Sequence, residues 1–276
     1  MARSRIERIL ILAKTYPSPS SQYVETSCVA GITQCGSMIR LYPVPFRLIE
    51  EGRQFKKWQW IDVRVEKATK DHRPESHKLF VDTIICHSII DTRKGWANRW
   101  GWLEKIPSFG SLEELDNARL NEGVSLALVR PKKVLGLEIV NARSSDWTEE
   151  EREKLVREQM QGDLFSEAAV RREIRELRKI PYDFYYRFVC ETSSGEIECK
   201  HKLIDWEVGM LYWNCIKSHG PHWRGPFRSK LENDFLNKEL IFLMGNQHRF
   251  QNQWLIISLI YPPRRTSTDD AQIELF

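Results

Sequence analysis

Short β-prone runs broken by turn residues fill the first half of the chain, and their spacing constrains the fold more than any other feature. Residues 9–13 form a continuous apolar run, 24–32 and 38–42 are β-prone, 61–65 alternates apolar with polar, and 83–90, 124–129 and 134–140 continue the series. One short helix, 111–121, interrupts it. Such strands, with turn residues between them, point to a β-rich lobe or small barrel. At Ser144 the texture changes. Thr148 and Glu151 have capping-box spacing, so a charged helix is expected to about residue 160 with Gly162 past its end. A second helix, from about residue 166 to 179, stops before Pro181. The expected fold is α+β: a barrel-like lobe over 1–143, a mixed lobe over 144–263 with a helical pair and a hairpin, and a flexible tail over 264–276.

Composition narrows the function classes. A chain of 276 residues with 41% hydrophobic residues can bury one large core or two smaller ones. Its formal charge is 42 − 38 = +4, too mild to indicate nucleic acid by itself. The apolar run near the start is only about five residues long and nothing approaches the roughly 18 that span a bilayer, so a cytoplasmic protein without a membrane partner is expected. Six cysteines in such a chain are expected as reduced thiols or metal ligands.

The most legible local motif is the hairpin YDFYYRFVCETSSGEIECKHKLIDWE. A two-residue turn at Ser194 and Gly195 would set Cys190 opposite Cys199. His201, Leu203, Asp205 and Glu207 would then continue the same face at strand period two. Cys190, Cys199 and His201 offer three soft ligands for a structural zinc, with His219, His222, Cys215 or His248 as a fourth. Facing cysteines are also ordinary small apolar residues. On the opposite face, Asp183, Glu198 and Lys200 follow the order of restriction-type nucleases, in which carboxylates hold magnesium and lysine orients a water. Asp205 and Glu207 are alternative working carboxylates, and a solvated strand is the plainer reading of Glu198 and Lys200.

Three clusters mix cations with flat rings: RQFKKWQW, RKGWANRWGW and KSHGPHWRGPFRSK. Cations that hold phosphates beside rings that stack on bases suit nucleic acid, which singles out Lys56, Lys57, Trp58, Trp60, Arg99, Arg224 and Arg228. Ile61, Val63 and Val65 mark the apolar face of their strand, leaving Trp58 and Trp60 on the other one, exposed unless another element covers them. Lys14, Arg40 and Arg47, each beside prolines, form a second cationic group able to line an anion pocket.

The blocks KTYP, RLYPVPFR and DWE resemble those of an uncharacterised bacterial protein family, a resemblance that carries no activity with it. The tail QIELF resembles the sliding-clamp-binding pentapeptide of bacterial polymerases and repair proteins. That resemblance implies that Gln272 enters a polar subsite while Leu275 and Phe276 fill an apolar pocket, with Ile273 where leucine is more usual. A second match, QGDLF at 161–165, is better suited to packing the two charged helices together. The expected function is therefore a DNA-associated, nucleic-acid-binding protein recruited through the bacterial sliding clamp, in replication, repair or antiviral defence. The alternatives are a metal-dependent nuclease acting on DNA and an enzyme on small molecules or nucleotides that uses the Lys14 region.

Overall fold

The computed structural model describes residues 4–19, 25–151 and 177–264. Its first sheet contains β1 (Arg5–Lys14), β2 (Ser18–Pro19), β3 (Glu25–Thr33), β4 (Met38–Val44), β5 (Gln59–Lys67), β6 (Ser76–Leu79) and β7 (Ile85–Ile89). The order β1-β3-β4-β6-β5 closes on itself because β5 also pairs with β1, giving a five-stranded barrel, with β7 added outside on β5. Closure removes the sheet edges of the strands that take part.

The barrel explains the continuous apolar run in β1. Ile9 and Ile11 point inward with Val29, Ile39, Leu41 and Val63. Leu10, Leu12 and Ala13 point outward, against Leu126, Leu128, Ile241, Leu243 and Ile257 of the second sheet. A strand buried on both faces has no polar face to alternate with.

That second sheet runs β10 (Lys133–Asn141), β11 (Tyr182–Thr192), β12 (Gly195–Leu203), β14 (Trp254–Ile260), β13 (Ile241–Asn246), β9 (Leu126–Val129) and β8 (Ser108–Phe109). Helices α1 (Ala97–Leu103) and α2 (Leu112–Glu122) lead into it. Its far face is covered by α3 (Trp206–His219) and α4 (Arg224–Arg228), which continues into a π-helical stretch, Ser229–Asp234. Tyr186, Phe188, Phe227, Leu231 and Phe242 form the centre of that core. The molecule is thus mostly β, with a closed barrel first and a mixed α/β part after it.

Several local expectations are corrected. The runs at 124–129 and 134–140, assigned from the sequence to the first lobe, pair within the second sheet, since β9 joins β13 and β10 joins β11. The hairpin turns at Ser193 and Ser194, with Thr192 opposite Gly195, so Cys190 faces Ile197 and Cys199 faces Phe188. A slip of two residues keeps every side chain on its expected face and costs nothing in burial. β12 stops at Leu203, and Asp205 starts a helix instead of continuing the strand, because its carboxylate accepts the Glu207 amide at 2.7 Å as an N-cap. The capping box forms as read: Thr148 N donates to Glu151 at 2.8 Å and Glu151 N to Thr148 Oγ1 at 3.2 Å. The body of the helical pair, the QGDLF segment and the tail from residue 265 lie outside the described residues.

Buried polar links tie the lobes together. Arg40, 3% exposed, donates to Ser125 O at 2.8 Å and to Glu75 at 3.3 Å. Arg73 donates to Asn246 O at 2.6 Å and holds Asp71 at the same distance. Among the described residues no helix is long and apolar enough to cross a membrane.

Candidate functional site

Where the barrel meets α3, the chain builds a cleft of about 540 Å³. A single bridge between Thr15 and Asp205, reinforced by Tyr16 N donating to Ile204 O at 2.7 Å, sets the end of β1 beside the first turn of α3. Lys14 is therefore placed at the cleft floor, next to Asp205, Trp206 and Glu207. The loop before β5 contributes Lys56 and Lys57, the π-helical stretch Lys230, and the end of β14 Tyr261. A second depression shares Lys57, Glu207 and Tyr261 with the first and adds Trp58, Trp96, Arg99 and Lys238. Together the two carry six cations, Lys14, Lys56, Lys57, Arg99, Lys230 and Lys238, against two carboxylates, Asp205 and Glu207.

The electrostatics at the floor are unusual. Lys14 is 9% exposed; its Nζ donates to Phe55 O at 3.0 Å and stands 3.8 Å from the centre of the Phe46 ring. Burial outweighs the attraction of Glu207 and Asp205 and lowers its pKa to about 8. Burial also raises the pKa of Asp205, against the pull of Lys57. Asp205 Oδ2 meanwhile accepts the Leu259 amide at 3.2 Å, which joins α3 to β14. Lys57 donates to Leu259 O at 2.6 Å and lies 3.8 Å from Glu207. A buried amine whose pKa is lowered, beside a carboxyl whose pKa is raised, is a pattern found at sites that handle ligands.

The sequence-derived candidates divide clearly. Lys56, Lys57, Trp58 and Arg99 come together around these depressions. Trp58 is 4% exposed, however, because α1 and the turn before it cover it: Trp96 meets it edge-on at 5.6 Å and Arg99 stands over it at 4.6 Å. Trp60 packs against Trp102 at 4.8 Å. The exception attached to these rings therefore applies, since another element covers them, and the apolar walls of the cleft are Ile89 and Met210, with Tyr261 between the two depressions. Arg224 lies over Tyr182, and Arg228 is bound to Glu232 and Leu137 O on the helical side of the second sheet, away from the cleft. Arg40 is spent on the lobe junction, and Arg47 sits on the turn Phe46–Leu48.

On the outer face of the hairpin each nuclease candidate has its own counter-ion. Asp183 pairs with Lys202 at 2.7 Å, Glu198 with Arg187 at 2.6 Å and Lys200 with Glu138 at 2.5 Å. Glu198 stands opposite Val189, six residues from Asp183, or about 20 Å along the strand. No shared cation could bridge that gap. Cys190 and Cys199 are diagonal neighbours whose thiols hydrogen-bond, which raises the pKa of the first and lowers that of the second. His201 commits Nδ1 to Trp254 O at 2.9 Å, and no group of three or more His, Cys, Asp or Glu side chains among the described residues is placed to hold a metal. Lys230 closes the cluster KSHGPHWRGPFRSK but is not singled out within it, while Tyr261 follows an apolar strand and Lys238 sits in a short polar turn, and neither of these two carries a local pattern that marks it.

No curated protein gives a match to the sequence. Among solved structures, a replication protein A heterotrimer bound to single-stranded DNA aligns with 100% of this chain and 68% of its own, at 9% identity and a TM-score of 0.27, a likeness too slight to carry an argument. Residues 5–105 match the family described as a domain of unknown function, DUF8758. The larger match covers residues 106–276, more than half of the molecule, and the chain belongs to the family of that model, the domain of unknown function DUF8757.

Proposed function

We propose that this is a nucleic-acid-binding protein and that the cleft between barrel and α3 is where it takes hold of phosphates. The observation that carries the reading is the convergence of six cations from separate chain segments on one concave surface holding two carboxylates, one of which, Asp205, is pushed toward its neutral form. Recessed amines favour phosphate oxygens, while Ile89 and Met210 offer apolar contact to a sugar or base. A fluorescein-labelled oligonucleotide followed by anisotropy at low and high salt tests this. Lys57→Glu together with Lys56→Glu should weaken binding about tenfold or more and flatten its salt dependence by about 0.7 for each single-strand phosphate that is no longer held. Binding untouched by that double change would place nucleic acid elsewhere.

Recruitment through the tail is a second part of the proposal and rests on the sequence of residues 272–276. An extended peptide can seat two apolar side chains, Leu275 and Phe276, in a partner's pocket while its backbone hydrogen-bonds. Calorimetry of the tail peptide against a bacterial sliding clamp should give heat of binding that vanishes with Leu275→Ala and Phe276→Ala.

One observation favours an enzyme on small molecules or nucleotides instead: the Lys14 amine, with its pKa near 8, is poised to act as a base or nucleophile. Loss of turnover of a nucleotide substrate in Lys14→Met, with oligonucleotide affinity retained, would support that reading.

A further inference from the structure

The two depressions of the cleft do not end at Tyr261. A third, of about 580 Å³, lies beyond it and is lined by Lys132, Lys133, Leu236, Lys238, Glu239 and Arg264. Lys238 belongs to both the second depression and the third. Its Nζ stands 5.2 Å from the Tyr261 ring, which lines the first and second. The three hollows therefore form one linked series, with Tyr261 and Lys238 at the saddles.

Charge is available along the whole of this path. Lys56, Lys133 and Lys238 make no ion pair with a described carboxylate, and Arg264 spends one guanidinium nitrogen on Leu236 O at 2.9 Å. The carboxylates that line the path or pair with its lysines are largely matched already. Glu239 is held by Arg130 at 2.6 Å, Asp234 by Lys230 at 2.9 Å, and Glu191 and Glu196 both by Lys132 at 3.0 Å. Glu207, near Lys57, is the carboxylate left most open to solvent in the first hollow.

We propose that the molecule binds single-stranded nucleic acid along this continuous path, with Lys133 and Arg264 as a second set of phosphate contacts that extends the footprint beyond the cleft and Lys238 as the link between the two. This rests on the cleft reading above and names its ligand class. A single strand fits and a duplex does not, because the cleft amines are recessed. Lys14 is 9% exposed and the side chain of Lys57 only 8%, depths that the stiff, wide backbone of a double helix does not reach. A flexible strand can dip into successive hollows, placing a phosphate in each and resting a base on Tyr261 at the saddle.

The test uses the full chain and labelled oligothymidylates from dinucleotide to dodecanucleotide, with oligouridylate as a parallel series and a blunt duplex as competitor. Affinity should climb steeply between the dinucleotide and the octanucleotide, and the duplex should compete poorly. The double variant Lys133→Glu, Arg264→Glu should lose about tenfold in octanucleotide affinity and reduce the salt slope by about 1.4, while dinucleotide binding stays as in the wild type. Lys238→Glu, at the saddle shared by the cleft and the third hollow, should lower octanucleotide affinity as much and dinucleotide affinity as well. Both sets of substitutions are at solvent-accessible positions, and an unchanged melting temperature checks folding. Equal affinity for the thymidylate and uridylate series would assign the path to single strands of either sugar; a preference would assign it to DNA or to RNA. If short oligonucleotides bind without any gain with length, the extended path is wrong and the cleft stands. If nothing in the series binds at low salt, the cleft reading falls with it. Strong competition by the duplex overturns the single-strand assignment alone.

Discussion

Lys14 shows how one side chain acquires its chemistry from position. The sequence places it after an apolar run and before a proline, which marks a strand end but gives no sign that the amine will be enclosed by Phe46, Phe55 and Trp206. Enclosure lowers its pKa from 10.5 to about 8, so the folded state binds fewer protons than the unfolded chain between those values. Lys14 therefore detracts from stability below pH 8, and that cost is relieved as the pH rises from about 8 to 10.5. Binding of an anionic ligand follows the opposite trend: it should weaken as the pH passes through 8 and the amine loses its charge. Lys14→Arg, which stays charged throughout, should abolish that decline in an anisotropy titration from pH 6.5 to 9.5, expected as about a few-fold difference at the upper end. A flat wild-type profile would remove Lys14 from ligand contact.

At the scale of elements, legibility follows the number of constraints acting on each segment. Alternation in β5 shows through because burial on the barrel wall imposes period two there, while β3 and β4, buried at consecutive positions, show through as β-prone runs without alternation. The capping box at Thr148 and Glu151 is purely local chemistry, so it too is readable. The start of α3 is not: Asp205 serves equally as a strand residue or an N-cap, and its capping bond to Glu207 is joined by long-range contacts with Leu259 and Thr15 that the local sequence does not announce. The covering of Trp58 and Trp60 by α1 and the turn before it is likewise invisible, since nothing near residue 60 announces a turn at Lys94–Trp96 and a helix at Ala97–Leu103 that bring Trp96 and Trp102. Helix α3 is seated by Gly209, where an added Cβ would stand 2.2 Å from the Tyr16 ring. Tyr16 cannot give way easily, as it accepts from Trp213 Nε1 and donates to Arg178 O, each at 2.8 Å. Gly209→Ala should cost about 1–3 kcal/mol by denaturant titration despite its better helix propensity, and should lower oligonucleotide affinity by displacing α3 from the cleft. Unchanged stability would mean that Tyr16 is free to move.

Taken as a whole, the molecule is two β units that share a core instead of touching at a surface. Leu10 and Leu12 of the barrel lie in one apolar cluster with Leu128, Leu243 and Ile257 of the second sheet. Equilibrium unfolding should accordingly be a single transition seen alike by tryptophan fluorescence and circular dichroism. Arg73 is the most exacting polar part of this junction. Burial works against the Asp71 carboxylate, yet hydrogen bonds from Arg73 and Ser76 hold its pKa well below the usual range. Arg73→Ala strands that carboxylate and frees Asn246, and should destabilise the protein by about 3 kcal/mol, less if water enters. Two separate transitions in the wild type would contradict the shared core. The same seam bears on how a ligand arrives. Because barrel and sheet cannot part without wetting Leu10, Leu12 and their neighbours, the cleft where the barrel meets α3 has no hinge at that seam, and the proposed strand would be laid into it from the open side. Capture by such a cleft should be a single step whose observed rate, followed by stopped-flow anisotropy, climbs in proportion to ligand concentration, with no plateau set by the opening of a jaw.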